Sequence, residues 1–176
     1  MTISGIKFST KSRVIVLKWR MISVLTMVLI SCATSLFALS VNTTAPNFTL
    51  KNLEGKSVSL SDYKGKIIVL KLGTTWCPGC RDQSKELQKL DTFFKEAGIA
   101  IIEVFLDDSI EDVKAYQQEH ATKSELVTLL GDDRVLRDYN VYAIPRLLIL
   151  SAEQKVLRDS TGLSSGQIKK IILENK

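Results

Sequence analysis

The chain has 176 residues, of which 45% are hydrophobic, with nine glycines and three prolines. This length and composition fit one compact domain with an appendage and exclude a disordered protein. The net charge of +5 comes from residues 1–32, which hold five basic side chains and no acid, whereas the rest of the chain balances 19 basic with 19 acidic side chains. A formally neutral domain has no electrostatic footprint for nucleic acid, so we expect no nucleic-acid partner.

The first 39 residues have the pattern of an export segment. Residues 1–20 form a basic region, and residues 21–39 are uncharged and mostly apolar over about the length that spans a bilayer. Three fates fit: Cys32 ends a lipobox-like stretch and is a candidate for lipidation, Ala38-Leu39-Ser40 resembles a cleavage site, and an uncleaved segment would be a membrane anchor. Each predicts that the rest of the chain is extracytoplasmic, in the periplasm or on the outer face of the cytoplasmic membrane, either membrane-tethered or secreted.

Residues 40–45 are short and polar, as in a linker, and residues 46–176 carry the predicted domain. Two alternating stretches on either side of Glu54-Gly55 predict a β-hairpin. Residues 67–72 are almost continuously apolar, which is typical of a central strand covered on both faces. Only Lys71 interrupts this run.

The remaining sequence alternates helices with strands. Apolar residues three or four apart predict one helix from Pro78 to about Ala97, ended by Gly98. A strand is predicted at 99–106, and Ser109 with Asp112 marks the start of a helix whose inner face holds Val113 and Tyr116. A strand at 126–130, a short turn or helix at 134–139 and strands at 146–150 and 155–159 follow. The closing helix is capped by Ser164 or Ser165, and its Ile168, Ile171 and Ile172 face the core. This order predicts a three-layer α/β architecture.

The motif Cys77-Pro78-Gly79-Cys80 lies where a predicted buried strand gives way to a helix. Unpaired N–H groups in the first turn favour an anion, so we expect Cys77 to ionise readily and act as a nucleophile. Cys80, one turn further along, can then attack a mixed disulfide formed on Cys77. A structural disulfide rarely closes so small a loop. A zinc site needs about four ligands, and the only other candidate, His120, we interpret as a surface residue. The motif therefore predicts a redox-active dithiol without a metal.

Four stretches form a combined pattern: APNFTL at 45–50, GKSVSLSDYKGK at 55–66, WCPGC at 76–80 and VYAIP at 141–145. Together they resemble the thioredoxin superfamily, and within it the TlpA/ResA-like membrane-tethered thiol–disulfide oxidoreductases of bacteria, with a redoxin or AhpC/TSA-like domain. The resemblance covers nearly the whole predicted domain. It implies a thioredoxin-like three-layer α/β/α sandwich with a central mixed sheet and an N-terminal β-hairpin extension.

The resemblance implies a nucleophilic Cys77, a buried resolving Cys80 and a cis peptide bond before Pro145. It also implies that the backbone of Ile144 pairs with an incoming substrate chain beside the dithiol, with Trp76 in the same substrate-binding surface. The expected partners are protein thiols and disulfides and a membrane electron donor. No cofactor is expected.

The chain departs from this family pattern at four positions. Gln83 stands where a glutamate is frequent, and Lys85 replaces a proline that commonly kinks the helix. Lys71 stands where thioredoxins have a buried acid, and Glu103 stands where they have its lysine partner. Because a buried charge is costly unless paired, we hypothesise a Lys71–Glu103 ion pair behind Cys80, with one of the two accepting the Cys80 proton. The alternative is that Lys71 extends to a strand edge and has no role.

Two other functions share this fold. A peroxiredoxin-like thiol peroxidase needs a P-x-x-x-[ST]-x-x-C arrangement: with Cys77, Thr74 fits but Leu70 replaces the proline, and with Cys80 both positions differ. A copper-delivery protein would use two thiolates and a histidine, but these cysteines are closely spaced and His120 is distant in sequence. The resemblance favours a reductase of protein disulfides, for example in cytochrome c maturation. The direction of electron flow, the client and the oligomeric state stay open at this point.

Overall fold

The structure is a computed structural model that describes residues 39–120 and 126–176. The predicted basic region, Cys32 and the predicted export segment up to residue 38 lie outside these ranges. Within them, no helix is long and apolar enough to cross a membrane. The strands are β1 (Thr49–Asn52), β2 (Ser57–Ser59), β3 (Ile68–Gly73), β4 (Ala100–Phe105), β5 (Leu126–Leu130), β6 (Arg146–Leu150) and β7 (Val156–Ser160). The helices are α1 (Pro78–Gln88), α2 (Asp91–Ala97), α3 (Ile110–His120), α4 (Asp133–Asp138) and α5 (Ser165–Glu174), with a 3-10 turn at Leu60–Tyr63.

The strands form one mixed sheet in the order β2-β1-β5-β4-β3-β6-β7. β3, β4 and β5 run parallel, and β6 runs antiparallel to β3. Every residue of β3 and β4 is buried, as the continuous apolar runs predict for strands covered on both faces. The register places Lys71 directly beside Glu103. The two charges that interrupt these apolar strands are therefore neighbours.

Helices and loops cover both faces of the sheet, which confirms the predicted three-layer plan. α1, α2 and α5 cover one face, over a core that includes Val69 and Ile101. α3 covers the same face further along, where Tyr116 packs against Phe105 with the rings edge to face. α4 lies on the other face, over a core that includes Leu70. The predicted N-terminal hairpin of β1 and β2 extends the sheet beyond β5.

The segment predicted as one helix from Pro78 to Ala97 contains two helices. α1 ends at Gln88, and Leu90 adopts φ −104° and ψ 6°, outside helical geometry, before α2 begins. Leu87 and Leu90 are both buried in the same core cluster. The apolar face thus continues across the break, through Leu87, Leu90 and Phe94.

Residues 39–45 pair with the edge of the sheet. The Asn42 N–H donates to the Val156 carbonyl at 2.8 Å, and the Leu39 N–H donates to Asp159 Oδ2 at 2.7 Å. The segment interpreted as a linker from its composition is thus held against β7 by backbone hydrogen bonds.

Candidate active site

Cys77 is the N-cap residue of α1 and follows the loop after β3. Its backbone is extended, with φ −78° and ψ 117°, and Pro78 opens the helix. The Cys77 Sγ accepts a hydrogen bond from the Cys80 N–H at 3.3 Å, and its thiol lies 3.9 Å from the Ile144 carbonyl oxygen. The sulfur therefore sits where the N-terminal N–H groups of a helix favour an anion, as the sequence predicts.

Cys80 is fully buried behind Cys77, and both are free thiols. A Cβ atom added to Gly73 would lie 2.7 Å from the Cys80 Sγ, so the glycine at the end of β3 makes room for the sulfur. Burial, with a contribution from Cys77, raises the pKa of Cys80 to about 12, although the Thr74 N–H and the charge of Lys71 act in the opposite direction. Cys80 is thus protonated at neutral pH and must lose a proton before it can attack.

The loop before β6 brings a second element to the dithiol. The Ile144–Pro145 peptide bond is cis, as the resemblance implies. A Cβ atom on Gly79 would lie 3.2 Å from the Pro145 Cδ, so the loop and the first turn of α1 are in close contact. Trp76 is 65% exposed and Tyr142 is 73% exposed. Tyr142 was not singled out from the sequence, although it lies within the same VYAIP stretch as Pro145.

Lys71 and Glu103 form the buried ion pair that the sequence suggests. The Lys71 Nζ lies 3.0 Å from Glu103 Oε1, and the side chains are 2% and 3% exposed. The alternative that Lys71 extends to a strand edge is therefore wrong. The ammonium also donates to Ser84 on α1 and, at 3.3 Å, to the Tyr116 hydroxyl on α3. Neither hydroxyl was predicted as a partner.

The electrostatics of this cluster favour the charged lysine. Burial alone would lower the pKa of Lys71, but the Glu103 charge and then the Tyr116 hydroxyl outweigh it, and the net pKa is raised. Burial raises the pKa of Tyr116, which keeps its phenol neutral. Among the residues that the structure describes, Glu103 Oε2 is buried and has no hydrogen-bond partner.

The other two departures from the family pattern are engaged elsewhere. The buried Gln83 amide donates to the Leu163 carbonyl at 3.0 Å and accepts from the Leu163 N–H at 2.8 Å. These two hydrogen bonds connect α1 to the loop before α5. Lys85 forms an exposed pair with Asp82 at 2.9 Å. Both side chains therefore serve the packing or the surface of α1.

A polar network holds the loop between β3 and Cys77. The Thr75 hydroxyl donates to Asp108 Oδ1 at 2.6 Å, and the Thr75 N–H donates to Oδ2 at 3.1 Å. The Arg81 Nε donates to the Thr75 carbonyl at 3.1 Å. The sequence alone did not reveal this network, because its members come from three separate segments.

Arg146 and Asp159 hold the loop on the other side of the dithiol. The Arg146 guanidinium makes two hydrogen bonds to the Asp159 carboxylate, with Nε at 3.0 Å from Oδ1, and both side chains are buried. A third bond from Arg146 reaches the Asn140 carbonyl, at the start of the loop that ends in the cis peptide. An arginine at the head of an otherwise apolar strand was the available sequence signal for this pair.

Known proteins with similar sequences indicate the same chemistry as the geometry of the site. Residues 41–158 match the family model described as the AhpC/TSA family. The chain belongs to the AhpC/TSA family. This AhpC/TSA member is similar to the thiol-disulfide oxidoreductase ResA of Bacillus thuringiensis subsp. konkukian, with 30% identity over 118 residues, 67% of this chain and 68% of the relative. It is similar also to ResA of Bacillus subtilis, with 31% identity over 125 residues, 71% and 69% of the two chains.

Solved structures agree. The thioredoxin domain of a thiol-disulfide oxidoreductase from Bacteroides vulgatus has a TM-score of 0.69 and 26% identity, covering 78% of this chain and 98% of that one. A thiol:disulfide interchange protein from Bacteroides sp. has a TM-score of 0.67 and 28% identity, covering 77% and 90%. The AhpC/TSA chain therefore has a thioredoxin-like fold and is a thiol–disulfide oxidoreductase.

The peroxidase arrangement is incomplete in this AhpC/TSA chain. Leu70, where the motif needs a proline, lies inside β3 and packs into the core on the face with α4. The Thr74 hydroxyl is buried and makes no hydrogen bond within the described ranges. The structure thus supplies no feature around Cys77 that favours a peroxidase over a disulfide exchanger.

His120 is not the surface residue that we predicted. Its side chain is 16% exposed, and its ring centroid lies 4.6 Å from that of Tyr116. The reason is helical spacing, because His120 lies four positions after Tyr116 and so shares its face of α3. His120 also lines an open cavity of about 240 Å³ with Thr75 and Arg81. Over residues 39–120 and 126–176, no cluster of three or more His, Cys, Asp or Glu side chains is suited to a metal ion.

Proposed function

We propose that this chain is an extracytoplasmic reductase of protein disulfides. The observation that carries the proposal is the placement of the two thiols: Cys77 at the N-terminus of α1 beside the Ile144 carbonyl, and a protonated Cys80 buried behind it. A nucleophile that is 7% exposed, backed by a fully buried resolving thiol, suits exchange in two steps.

In the first step, the Cys77 thiolate attacks one sulfur of the client disulfide. A Cys77–client S–S bond forms, the client S–S bond breaks, and the other client sulfur leaves as a thiolate that takes up a proton. In the second step, Cys80 gives up its proton and attacks the Cys77 sulfur. The Cys77–Cys80 disulfide forms, and the client leaves as a second thiolate. Two electrons pass from the dithiol to the client.

The client backbone is proposed to lie along the loop before β6. Ile144 precedes the cis peptide, and its carbonyl already faces the Cys77 sulfur. An extended client segment can pair with this backbone by main-chain hydrogen bonds. Trp76 and Tyr142, exposed on the two segments that meet here, supply apolar surface for client side chains near the target disulfide.

Lys71 and Glu103 are proposed to serve the second step, with one of them accepting the Cys80 proton. The pair lies close to the sulfur: the point 2.7 Å from the Cys80 Sγ where a Gly73 Cβ would sit is also 4.0 Å from the Lys71 Cε. We expect Lys71→Met to change the rate and the pH profile of disulfide exchange. An unchanged rate and profile would show that the pair has no part in the reaction.

The proposed location and partners rest on the sequence. The basic and apolar pattern of residues 1–39 supports export, with tethering through a lipid on Cys32 or through an anchor, or release after cleavage. A reductase outside the cytoplasm needs a membrane electron donor to restore its dithiol. We propose a disulfide-bonded apocytochrome c as the client to be tested first, in line with a role in cytochrome c maturation.

The deciding measurement is the reduction potential of the Cys77–Cys80 couple. The full-length chain carrying Cys32→Ser is equilibrated with glutathione and dithiothreitol buffers. A reductase is expected near thioredoxin, at about −270 mV, whereas a value near about −120 mV would make the protein a disulfide donor. Absence of a reversible two-electron couple would refute thiol–disulfide exchange.

Client capture supplies the complementary test. Cys80→Ser should trap a mixed disulfide between Cys77 and an oxidised apocytochrome c peptide, because the second step is blocked. Cys77→Ser is the matched control and should trap nothing. Equal trapping by both variants would contradict the assignment of Cys77 as the nucleophile.

A further inference from the structure

The Lys71 ammonium has no hydrogen-bonding capacity left. An ammonium carries three N–H donors and no acceptor. Lys71 Nζ has three acceptors in place: Ser84 Oγ, Glu103 Oε1 at 3.0 Å and the Tyr116 hydroxyl at 3.3 Å. Lys71 is therefore a saturated cation, and it has no lone pair with which to take a proton from Cys80.

The hydroxyls of Ser84 and Tyr116 donate their hydrogen bonds in one direction, toward Glu103. Ser84 Oγ lies 2.9 Å from the Tyr116 hydroxyl and 3.2 Å from Glu103 Oε1. Lys71 donates to both hydroxyls, so each has its own proton to give elsewhere. The Tyr116 proton then goes to Ser84, and the Ser84 proton goes to Glu103 Oε1. One carboxylate oxygen thus accepts two hydrogen bonds.

The second carboxylate oxygen is left available. Glu103 Oε2 is buried, and among residues 39–120 and 126–176 nothing donates to it. A buried acceptor without a partner costs free energy, and a catalytic role is one reason for a protein to keep it. Ser84, which donates to the other oxygen, lies one helical turn after Cys80 on α1, and Cys80 is a buried thiol that must lose a proton.

We infer that Glu103, through Oε2, is the member of the pair that takes the Cys80 proton, and that Ser84 and Tyr116 are positioning residues that hold its other oxygen. The inference rests on the proposed two-step exchange. The Cys80 S–H bond breaks, an O–H bond forms at Oε2, and the sulfur electron pair forms the bond to Cys77. The proton later leaves Glu103 for solvent.

Other titratable and charged groups near the pair are few and can be named. α1 contributes Cys80, and α3 contributes Tyr116 with His120 against its ring. In the sheet, the neighbour of Glu103 on β5 is the uncharged Thr128, and the neighbour of Lys71 on β6 is an apolar leucine. A pH dependence of the second step that responds to Ser84 therefore reports on this cluster.

The test separates the two cysteines kinetically. In a single turnover with 5,5′-dithiobis(2-nitrobenzoate), attack by Cys77 releases one coloured thiolate, and attack by Cys80 on the mixed disulfide releases the second. The full-length chain carrying Cys32→Ser is used throughout. The rate of each phase is recorded as a function of pH.

We expect Glu103→Gln to slow the second phase about 100-fold at neutral pH, because a positioned base typically contributes that much or more, and to leave the first phase unchanged. Both Ser84→Ala and Tyr116→Phe keep the carboxylate. Ser84→Ala removes the hydrogen bond from Ser84 to Oε1, and Tyr116→Phe removes the hydroxyl that donates to Ser84. The midpoint of the second phase on the pH axis should therefore shift, because the hydrogen bonds around the proposed proton acceptor have changed. Tyr139→Phe, which removes a buried hydroxyl bonded to the Pro46 carbonyl, is the control and should leave the midpoint in place.

Three outcomes would overturn the inference. One is a wild-type midpoint in both Ser84→Ala and Tyr116→Phe, and another is an equal shift in Tyr139→Phe. The third is an unchanged second phase in Glu103→Gln whose urea unfolding resembles wild type. If the unsubstituted chain shows no second phase, the proposed exchange itself fails, so the two failures are distinguishable.

Discussion

Replacing Lys71 by methionine should cost far more stability than replacing Lys71 and Glu103 together. Lys71→Met keeps most of the side-chain volume but leaves the Glu103 carboxylate buried without a counter-charge. Glu103→Leu leaves the ammonium in the same position. The double variant Lys71→Met/Glu103→Leu removes both charges and fills the space with apolar atoms.

The magnitudes follow from the geometry. At 3.0 Å, an effective dielectric constant of about 20 gives an attraction of about 5.5 kcal/mol between the two charges. Since each ion also loses its hydration, breaking the pair from one side should lower the free energy of unfolding by about 3–5 kcal/mol. The double variant buries neither charge, so it has neither desolvation penalty. Ser84 and Tyr116 lose their hydrogen bonds to the pair, which should lower the free energy of unfolding by about 1 kcal/mol for each residue. It should therefore lie within about 2 kcal/mol of wild type.

Urea denaturation of the reduced proteins measures these differences, provided that the slopes agree. Lys85→Met is the matched control, because its pair with Asp82 is exposed and should change stability by less than about 1 kcal/mol. The reasoning would be refuted by a Lys71→Met variant as stable as the control. It would also be refuted if the double variant lost the sum of the two single losses, because the residues would then not interact.

Three further predictions concern the dithiol and the loop beside it. Gly73→Ala puts a Cβ atom 2.7 Å from the Cys80 Sγ. We expect the free energy of unfolding in urea to fall by about 1–3 kcal/mol and the second phase with the chromogenic disulfide to slow. The control Gly166→Ala, which has open space around the added Cβ, should show neither effect. Arg146→Met leaves the Asp159 carboxylate buried without its counter-charge. It should lower the free energy of unfolding by about 3–5 kcal/mol and lower kcat/KM for a protein disulfide. Full activity would show that the pair does not position the loop. Burial raises the pKa of Cys80 to about 12. The rate at which iodoacetamide alkylates Cys80, followed by mass spectrometry, should therefore be negligible at pH 8 and rise tenfold per pH unit until the pH approaches this pKa. A rate that reaches a plateau near pH 9 would contradict this expectation.

Much of the site follows from local sequence rules. The apolar runs of β3 and β4 predict two central strands, and the resemblance to thioredoxins pairs Lys71 with Glu103, which the strand register confirms. The C-x-x-C motif at a strand-to-helix junction predicts the N-cap position of Cys77. These features depend on residues close together in sequence or on a regular strand register, which is why the sequence alone suffices for them.

What could not be predicted depends on how separate elements pack. Ser84 is a small polar residue in a helix and carries no periodic signal, and its contacts exist only because α1 and α3 meet over Lys71. The inward position of Tyr116 is predictable from helical spacing, whereas the partner of its hydroxyl is not. The break at Leu90 has no local signal, because no glycine or proline marks it and the apolar spacing of Leu87, Leu90 and Phe94 continues across it.

We expect the pairing of residues 39–45 with β7 to limit self-association of the molecule. β7 is the last strand of the sheet, and an open strand edge is a template on which another chain can add. The N-terminal segment occupies the start of this edge through bonds such as Asn42 to Val156. A shortened chain that begins at Pro46 would uncover it, so we expect such a chain to aggregate more readily than one that begins before Leu39.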